Sequence, residues 1–405
     1  MKKLLKWLFI LILPFVLFDI YKGICRYRTH STKNDTMSLN TLSYTSKNHY
    51  WHFPLNSTIA LKNEERAVVL VKTDTYGFRN NPILENPTLL FLGDSFTSAV
   101  NTQDKDTYAQ VLINEGTTLY NAGMDGTGTC HQAYILKDIL DHIHPQIIIL
   151  NFYLGNDFYD NFFGPELQTL KNELDLKQNV QCSLSNEKKN SDSTSKFLAI
   201  EFLRHIKDFL LSYSESFKLI YQRVSPFFHE ESDMLYYDRS EIKLLAYQEK
   251  SPDSDIKKAL NNTIDALQVI QKIIESYNTK NNTHVELVVV GIPSKAQVIK
   301  SLREISNFEA DRGAVAFSNS LLSKINFDTP DKLLADFCTQ NNIPYFSLLP
   351  TFRKNAENEI YYHFDSHWNW RGQKIAAKAV FKWLKESGFI SKSIQPSPFS
   401  GLKYI

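Results

Sequence analysis

Cysteine is scarce in this chain and carries no pattern. Cys25, Cys130, Cys182 and Cys338 stand far apart, with no CxxC pair and no Cys/His spacing. That excludes the common zinc sites and a disulfide framework, and it leaves the redox compartment undecided. An excess of one charge is missing too, since 45 Lys and Arg face 44 Asp and Glu. Nothing global therefore points to nucleic acid or an acidic polymer as a partner. Glycine is low, at 14 in 405 residues, and no internal repeat is found. A long apolar run occurs in one place only, Leu4–Phe18, broken by Lys6. Apolar and aromatic residues are plentiful, with 20 Tyr and 27 Phe, which supplies a core and excludes disorder as the class.

The N-terminal run follows Lys2 and Lys3, and polar residues return at Asp19. A basic stretch before an apolar core is the pattern of an export signal. No small-x-small cleavage site follows, and Tyr21–Cys25 is a poor lipoprotein box. A spanning helix takes about 17–20 apolar residues, so this one is short. Residues 1–24 are read as an uncleaved signal anchor, with a cleaved signal or a buried core helix as alternatives. Lys22, Arg26 and Arg28 balance Lys2, Lys3 and Lys6, so flanking charge does not set orientation. The expectation is a single-pass membrane protein whose large C-terminal part is extracytoplasmic, periplasmic or extracellular.

Residues 25–50 are rich in Ser, Thr, Asn and Lys and read as a tether within an N-terminal extension, 25–86. Ala67–Val71 reads as a strand leading to a turn, Thr75–Asn80, that carries Arg79. From Pro87 the pattern changes. Apolar runs at Thr88–Leu92, Thr118–Asn121, Ile147–Leu150, Val285–Val290 and Tyr345–Leu349 alternate with stretches of helical spacing. Continuous apolar strands between helices imply a parallel sheet covered on both faces. The helices are predicted from about Thr107, over His131–Ile143, from about Ser254, over Lys332–Gln340 and over Gln373–Glu386. The alternation breaks over about 158–250. Asn186–Ser195 reads as a charged, serine-rich loop and Lys196–Val224 as an apolar helical insertion, packed on the core or acting as a lid. The expected fold is α/β, a three-layer α/β/α sandwich with a five-stranded parallel sheet over 87–390, a helical insertion after its third strand, and a tail at 391–405.

Four motifs fall at strand ends or just ahead of a helix. Gly93-Asp94-Ser95 closes the first strand, where ligands bind in open α/β sheets. Asn121–Gly128 closes the second and holds glycines that let backbone N–H groups approach a ligand. Leu154-Gly155-Asn156-Asp157 follows the third, and the Asn156 side chain could donate to the same oxygen. Asp365-Ser366-His367 precedes the last helix. A serine hydroxyl needs a base, and a histidine needs a third group to fix its tautomer. Residues two apart in an extended segment point the same way, so Asp365 can orient His367 toward Ser95. Each motif alone has a bland reading as a turn; together they point to acyl chemistry. Asp94 and Asp157 are read as turn caps, and His131, His142 and His144 as helix-surface or structural. Arg79 is read as one half of a structural ion pair, and His363 as a possible substrate contact.

These four blocks resemble the SGNH (GDSL-type) hydrolase superfamily over about Pro87–Gly388, the insertion excepted. The resemblance implies a flavodoxin-like fold, with Ser95 as nucleophile, His367 as base and Asp365 as its partner. It also implies an oxyanion hole made of the Ser95 and Gly126 amides and the Asn156 side chain. Gly126 is preferred to Gly123 because family members place this glycine five residues after an Asn such as Asn121. Most members space acid and base as Asp-x-x-His. The Asp-x-His-Trp-Asn spelling here is similar to an exported branch that holds polysaccharide O-acetyltransferases, as is Tyr76–Arg79. The expected activity is an extracytoplasmic esterase or deacetylase, the alternative an O-acetyltransferase acting on a cell-surface glycan. The substrate would be an acyl ester or acetylated glycan, and the chemistry requires no cofactor and no metal. An α/β-hydrolase fits less well, because it wants Gly-x-Ser-x-Gly and residue 97 is Thr.

Overall fold

The computed structural model describes residues 44–47, 49–63, 65, 67–174, 241–249, 254–301, 323–363 and 366–390. All of them lie within one compact unit of the chain. The expectations for 1–24, Asn186–Ser195, Lys196–Val224, Asp365 and the tail 391–405 fall outside the described residues. Among the described residues no helix is long and apolar enough to cross a membrane.

Five strands form one parallel sheet: β5 (Leu89–Gly93), β6 (Leu119–Asn121), β7 (Ile147–Tyr153), β8 (Glu286–Ile292) and β9 (Tyr345–Ser347), in the order β6-β5-β7-β8-β9. Four short strands precede them and pair as two antiparallel hairpins, β1 (Thr45–Lys47) with β2 (Tyr50–His52) and β3 (Thr58–Lys62) with β4 (Val68–Lys72). The end of the expected tether, Thr45–Lys47, is thus a strand. Its three residues are all exposed and carry no apolar alternation, which is why pattern alone misses it. The helices of the described residues include α1 (Ser95–Ser98), α2 (Tyr108–Asn114), α3 (Thr129–Ile139), α4 (Asp157–Asp160), α5 (Gln168–Glu173), α6 (Ser254–Asn281), α7 (Lys295–Ile299), α8 (Thr329–Gln340), α9 (Leu349–Lys354) and α10 (Trp370–Glu386).

Side chains alternate across a strand, and here the alternation divides the core in two. Leu90, Leu92, Ile148, Leu150, Phe152, Leu287 and Val289 pack with α3, α6 and α8 on one face. Leu89, Phe91, Ile147, Ile149, Val288, Val290 and Ile292 pack with α2, α9 and α10 on the other. Both faces are buried along β5, β7 and β8, so these strands read as nearly continuous apolar runs. The fold is the three-layer α/β/α sandwich expected from that pattern. Its edge strand β6 is covered by the N-terminal extension: Asn121 N donates to Asn80 Oδ1 at 2.8 Å, and Asn80 Nδ2 donates to Asn121 O at 3.0 Å. An edge strand paired in this way is not open to a second chain.

The chain leaves β5 toward β6 on one side and β7 toward β8 on the other. The strand order therefore reverses between β5 and β7, and a crevice opens beyond their carboxyl ends. Ser95 follows β5, Asn156 follows β7, and the glycine loop follows β6, beside β5.

Candidate active site

Ser95 is the first residue of α1 and is half-buried. Asp94 caps this turn, accepting the Phe96 N–H on Oδ1 at 2.9 Å, as a short acid before a helix commonly does. Arg79 holds the far end. It is buried, donates to the carbonyls of Ser98, Ala99 and Thr102, and pairs with Asp104. The sequence expectation for Arg79 was a structural ion pair, and its five donors are spent within the loop.

His367 sits on a loop closed by an antiparallel bridge between Tyr361 and Trp368 and by Tyr362 N donating to His367 O at 2.9 Å. Trp368 is fully buried and donates its Nε1–H to Phe96 O at 3.2 Å, tying the histidine loop to the serine turn. The Phe96 ring lies 4.7 Å from the imidazole and 4.0 Å from the Tyr153 ring. Asn369 then caps α10, accepting from Arg371 N at 2.9 Å and donating to Tyr361 O at 3.2 Å. The outcome is a contact of 2.6 Å between His367 Nε2 and Ser95 Oγ, across 272 residues of sequence. With Nε2 accepting, the ring proton sits on Nδ1, the side a carboxylate partner takes.

Around this pair the oxyanion candidates differ in character. Met124–Thr127 is a tight turn, with Thr127 N donating to Met124 O at 3.3 Å. Met124 N donates to Gly93 O at 2.9 Å and pins the turn to the end of β5. Gly126 is exposed at its tip with φ of 68°, a left-handed conformation that favours glycine. Gly123 is buried, and a Cβ there would lie 2.7 Å from Ser98 N. It serves close packing against α1. Asn156 opens α4 but its side chain makes no capping bond, and its Oδ1 is buried without a partner. Because Oδ1 does not accept a helix N–H, the cap does not fix the orientation of the Asn156 side chain.

The chain is similar to solved GDSL-type structures. They include a member of the lipolytic G-D-S-L family from Veillonella parvula, 10% identical with a TM-score of 0.33, the match covering 73% of this chain and 96% of that one. A GDSL-like lipase from Bacteroides thetaiotaomicron is 9% identical with a TM-score of 0.34, over 75% of this chain and 89% of that one. A protein from Bacteroides fragilis assigned as an acylhydrolase is 8% identical with a TM-score of 0.33, over 76% and 89%. No family model and no curated protein matches the chain. At these identities and scores the likeness assigns no residue a role.

Buried acids crowd the same strand ends. Burial pushes the Asp94 carboxyl up to about 7, against the pull of the His367 charge. Asp157 and Asp160 are pushed well above the usual carboxylate range by burial, and the charge of Asp94 adds to both shifts. Asp157 Oδ2 accepts the Tyr153 N–H at 2.8 Å, so the expected turn-cap role of Asp157 has a counterpart in this bond. Of the histidines, His142 stacks on Tyr76, His144 Nδ1 lies 2.8 Å from Tyr277 Oη, and His131 is buried in α3. Burial drives the His131 imidazole down to about 4, leaving it neutral. His363 lines a cavity of about 390 Å³ with Lys295, Tyr362 and Arg371, and neither Ser95 nor His367 is on that lining. Cys130 and Cys338 are free and buried, their thiols both pushed up to about 12 by burial, so neither supplies a nucleophile.

Sequence reasoning missed what surrounds Gly126. Asp125 accepts on its side chain from Ser98 Oγ and from Tyr44 Oη, the latter at 3.1 Å. Trp51 Nε1 donates to the Asp125 carbonyl at 2.9 Å. The one signal in the sequence is Tyr50-Trp51-His52, an aromatic cluster that ends the polar stretch.

Proposed function

We propose that the protein is a serine-dependent hydrolase of acyl esters. It works outside the cytoplasm and is held at the membrane by its N-terminal segment. The observation that carries the reading is the 2.6 Å contact between His367 Nε2 and Ser95 Oγ beyond the carboxyl end of β5. A base in hydrogen-bond reach of a serine, in a crevice where sheet proteins bind ligands, is the minimum for nucleophilic catalysis.

In the first step Ser95 Oγ bonds to the ester carbonyl carbon as His367 Nε2 takes its proton. The carbonyl π pair moves to oxygen, and that oxyanion is held by the N–H groups of Ser95 and Gly126 and by Asn156 Nδ2. Each such donor is worth about 3–4 kcal/mol in the transition state. The oxyanion collapses, the ester C–O bond breaks, and His367 returns the proton to the leaving oxygen. In the second step water attacks the acyl-serine with His367 again as base, releasing the acid and restoring the Ser95 hydroxyl. Asp365 is assigned to hold the imidazole Nδ1–H throughout. A hydroxyl of a cell-surface glycan can replace water in the second step, which gives the O-acetyltransferase reading. The Asp365–Asn369 spelling favours that branch.

The full chain in detergent is expected to hydrolyse p-nitrophenyl acetate and to be labelled by a fluorophosphonate at Ser95. Ser95→Ala must abolish both, and His367→Ala should lower kcat by several powers of ten. Persistent labelling of Ser95→Ala would mean that another residue is the nucleophile. Adding candidate oligosaccharides to an acetyl donor separates the two readings: acetylated sugar outpacing free acetate identifies transfer.

A further inference from the structure

The peptide that joins Asp125 to Gly126 has two polar ends. Its carbonyl belongs to Asp125 and its N–H to Gly126, and in a trans peptide the two point in opposite directions. The N–H is the group assigned above to the oxyanion. The carbonyl receives the indole N–H of Trp51 at 2.9 Å, so a tertiary bond fixes the plane of the whole unit. A hydrogen bond on the carbonyl also polarises the amide and strengthens the N–H at its other end. Asp125 is held on its side chain as well, by Ser98 Oγ at the end of α1 and by Tyr44 Oη. Asp125 is thereby tied both to the helix that carries the nucleophile and to the N-terminal segment through Tyr44 and Trp51.

Trp51 is itself held in place. Its ring meets His131 edge-on, with centroids 5.0 Å apart, and burial keeps that imidazole neutral. Indole Cζ2 lies 3.6 Å from the point where a Gly126 side chain would begin. The ring therefore flanks the glycine whose amide is to meet substrate, and it remains half-exposed. Neither Trp51 nor Tyr44 belongs to the segment from Pro87 onward that contains Ser95, Gly126, Asn156 and His367.

We propose that Trp51 is a positioning residue of the oxyanion hole: its indole N–H, bonded to the Asp125 carbonyl, aims the Gly126 N–H, and the N-terminal hairpin is part of the active site. This rests on the reading of Gly126 as an oxyanion donor. Loss of aim, as opposed to loss of the donor, predicts a penalty below the 10²–10³ that removal of a donor typically costs. The penalty should fall on the transition state and spare the substrate ground state.

The test compares wild type, Trp51→Phe and Ser95→Ala as full chains in detergent, with p-nitrophenyl acetate as substrate and an arylboronic acid as the probe of the tetrahedral state. Trp51→Phe is expected to lower kcat about 10- to 100-fold while KM stays within about twofold. The affinity for the boronic acid should fall by a similar factor. Because Phe fills less space, replacement of Trp51 by 3-benzothienylalanine gives a second variant, which keeps the ring shape and loses only the N–H. It should reproduce the kcat loss with an unchanged melting temperature. If the isostere keeps wild-type kcat, or raises KM alone, the ring is only a wall and the proposal is wrong. If wild type shows no turnover that depends on Ser95, the reading of the site falls first and takes the proposal with it. The Ser95→Ala control separates these two failures.

Discussion

A methyl group added at Gly123 would sit 2.7 Å from the Ser98 amide nitrogen and from two atoms of Thr97, whereas one added at Gly126 meets only Trp51 Cζ2, at 3.6 Å. The two substitutions should therefore fail differently. Gly123→Ala forces the loop away from α1, an overpacking cost of about 1–3 kcal/mol, so stability and kcat should fall together. Gly126→Ala has room, and pays about 1–2 kcal/mol for a left-handed backbone. It should melt only a few degrees below wild type and yet lose at least tenfold in kcat, because the added methyl and any relaxation of φ misdirect the amide. Thermal melts beside kcat measurements decide it. A Gly126→Ala variant with undiminished kcat would show that neither the methyl nor the left-handed φ of residue 126 governs the aim of the amide. Asp94 and Ser95 illustrate the same separation of roles between neighbours. One carboxylate oxygen of Asp94 shapes the turn through the Phe96 N–H, and Ser95 Oγ is left to His367.

Between elements, the residues around His367 show why a two-residue spelling is informative about structure before it is informative about substrate. Trp368 ties the loop to Phe96 O, and Asn369 starts α10 while holding the carbonyls of Glu359 and Tyr361. Both side chains are buried and committed to placing the imidazole. Removing the Asn369 amide strips a cap worth about 1 kcal/mol and leaves the buried Tyr361 carbonyl unpaired at about 1–3 kcal/mol more. Asn369→Ala should therefore lower the melting temperature by several degrees and kcat by more than KM changes, while Asn369→Asp, which keeps the acceptor, should regain part of the stability. Equal melting of Asn369→Ala and wild type would show that the loop is held by Trp368 and its backbone bonds without the Asn369 side chain. The elements that sequence pattern revealed are those whose environment is uniform. Strands β5, β7 and β8 are buried on both faces, so Leu89–Leu92, Ile147–Leu150 and Val285–Val290 announce themselves. Hairpin β1–β2 is too short and too exposed to leave a period, and its importance lies in Trp51 and Tyr44 reaching Asp125, a contact across more than seventy residues. No local rule encodes such a contact. The contact of Ser95 with His367 was legible because a serine at a strand end and a histidine two residues after an acid are the types that acyl chemistry would call for, and Asn156 follows β7 where its motif placed it.

Across the whole molecule, the carboxyl ends of β5 and β7 gather acids that a stable core would avoid. Asp94, Asp157 and Asp160 are each pushed up by burial, with Asp94 adding to the shift of the other two through like charge. Oδ1 of Asp157 and Oδ2 of Asp160 are buried without partners, so ionising either group leaves an uncompensated charge. The folded protein binds these protons more tightly than the unfolded chain, whose Asp residues titrate near 3.9. Their contribution to stability is complete below about pH 4 and is lost as pH rises through the folded values, about 7 for Asp94. His131 works in the opposite sense. Its folded value is lowered to about 4, so its contribution is complete above the ordinary imidazole range and is lost as pH falls toward 4. A wild-type profile mixes the two, and a single substitution separates them. Asp94→Asn keeps an oxygen for the Phe96 N–H and removes the titration. The unfolding free energy of the variant relative to wild type should climb in the variant's favour from pH 4 to 7, by on the order of 1–4 kcal/mol, and level off above that. Urea unfolding at unit steps from pH 4 to 8 measures it. A flat difference across that range would mean that Asp94 ionises in the fold as freely as in the unfolded chain. The same steps read with p-nitrophenyl acetate would then show whether the charge beside His367 matters to the rate. Loss of kcat in Asp94→Asn confined to the range above pH 7 would assign that charge to stabilising the imidazolium that forms as Ser95 attacks.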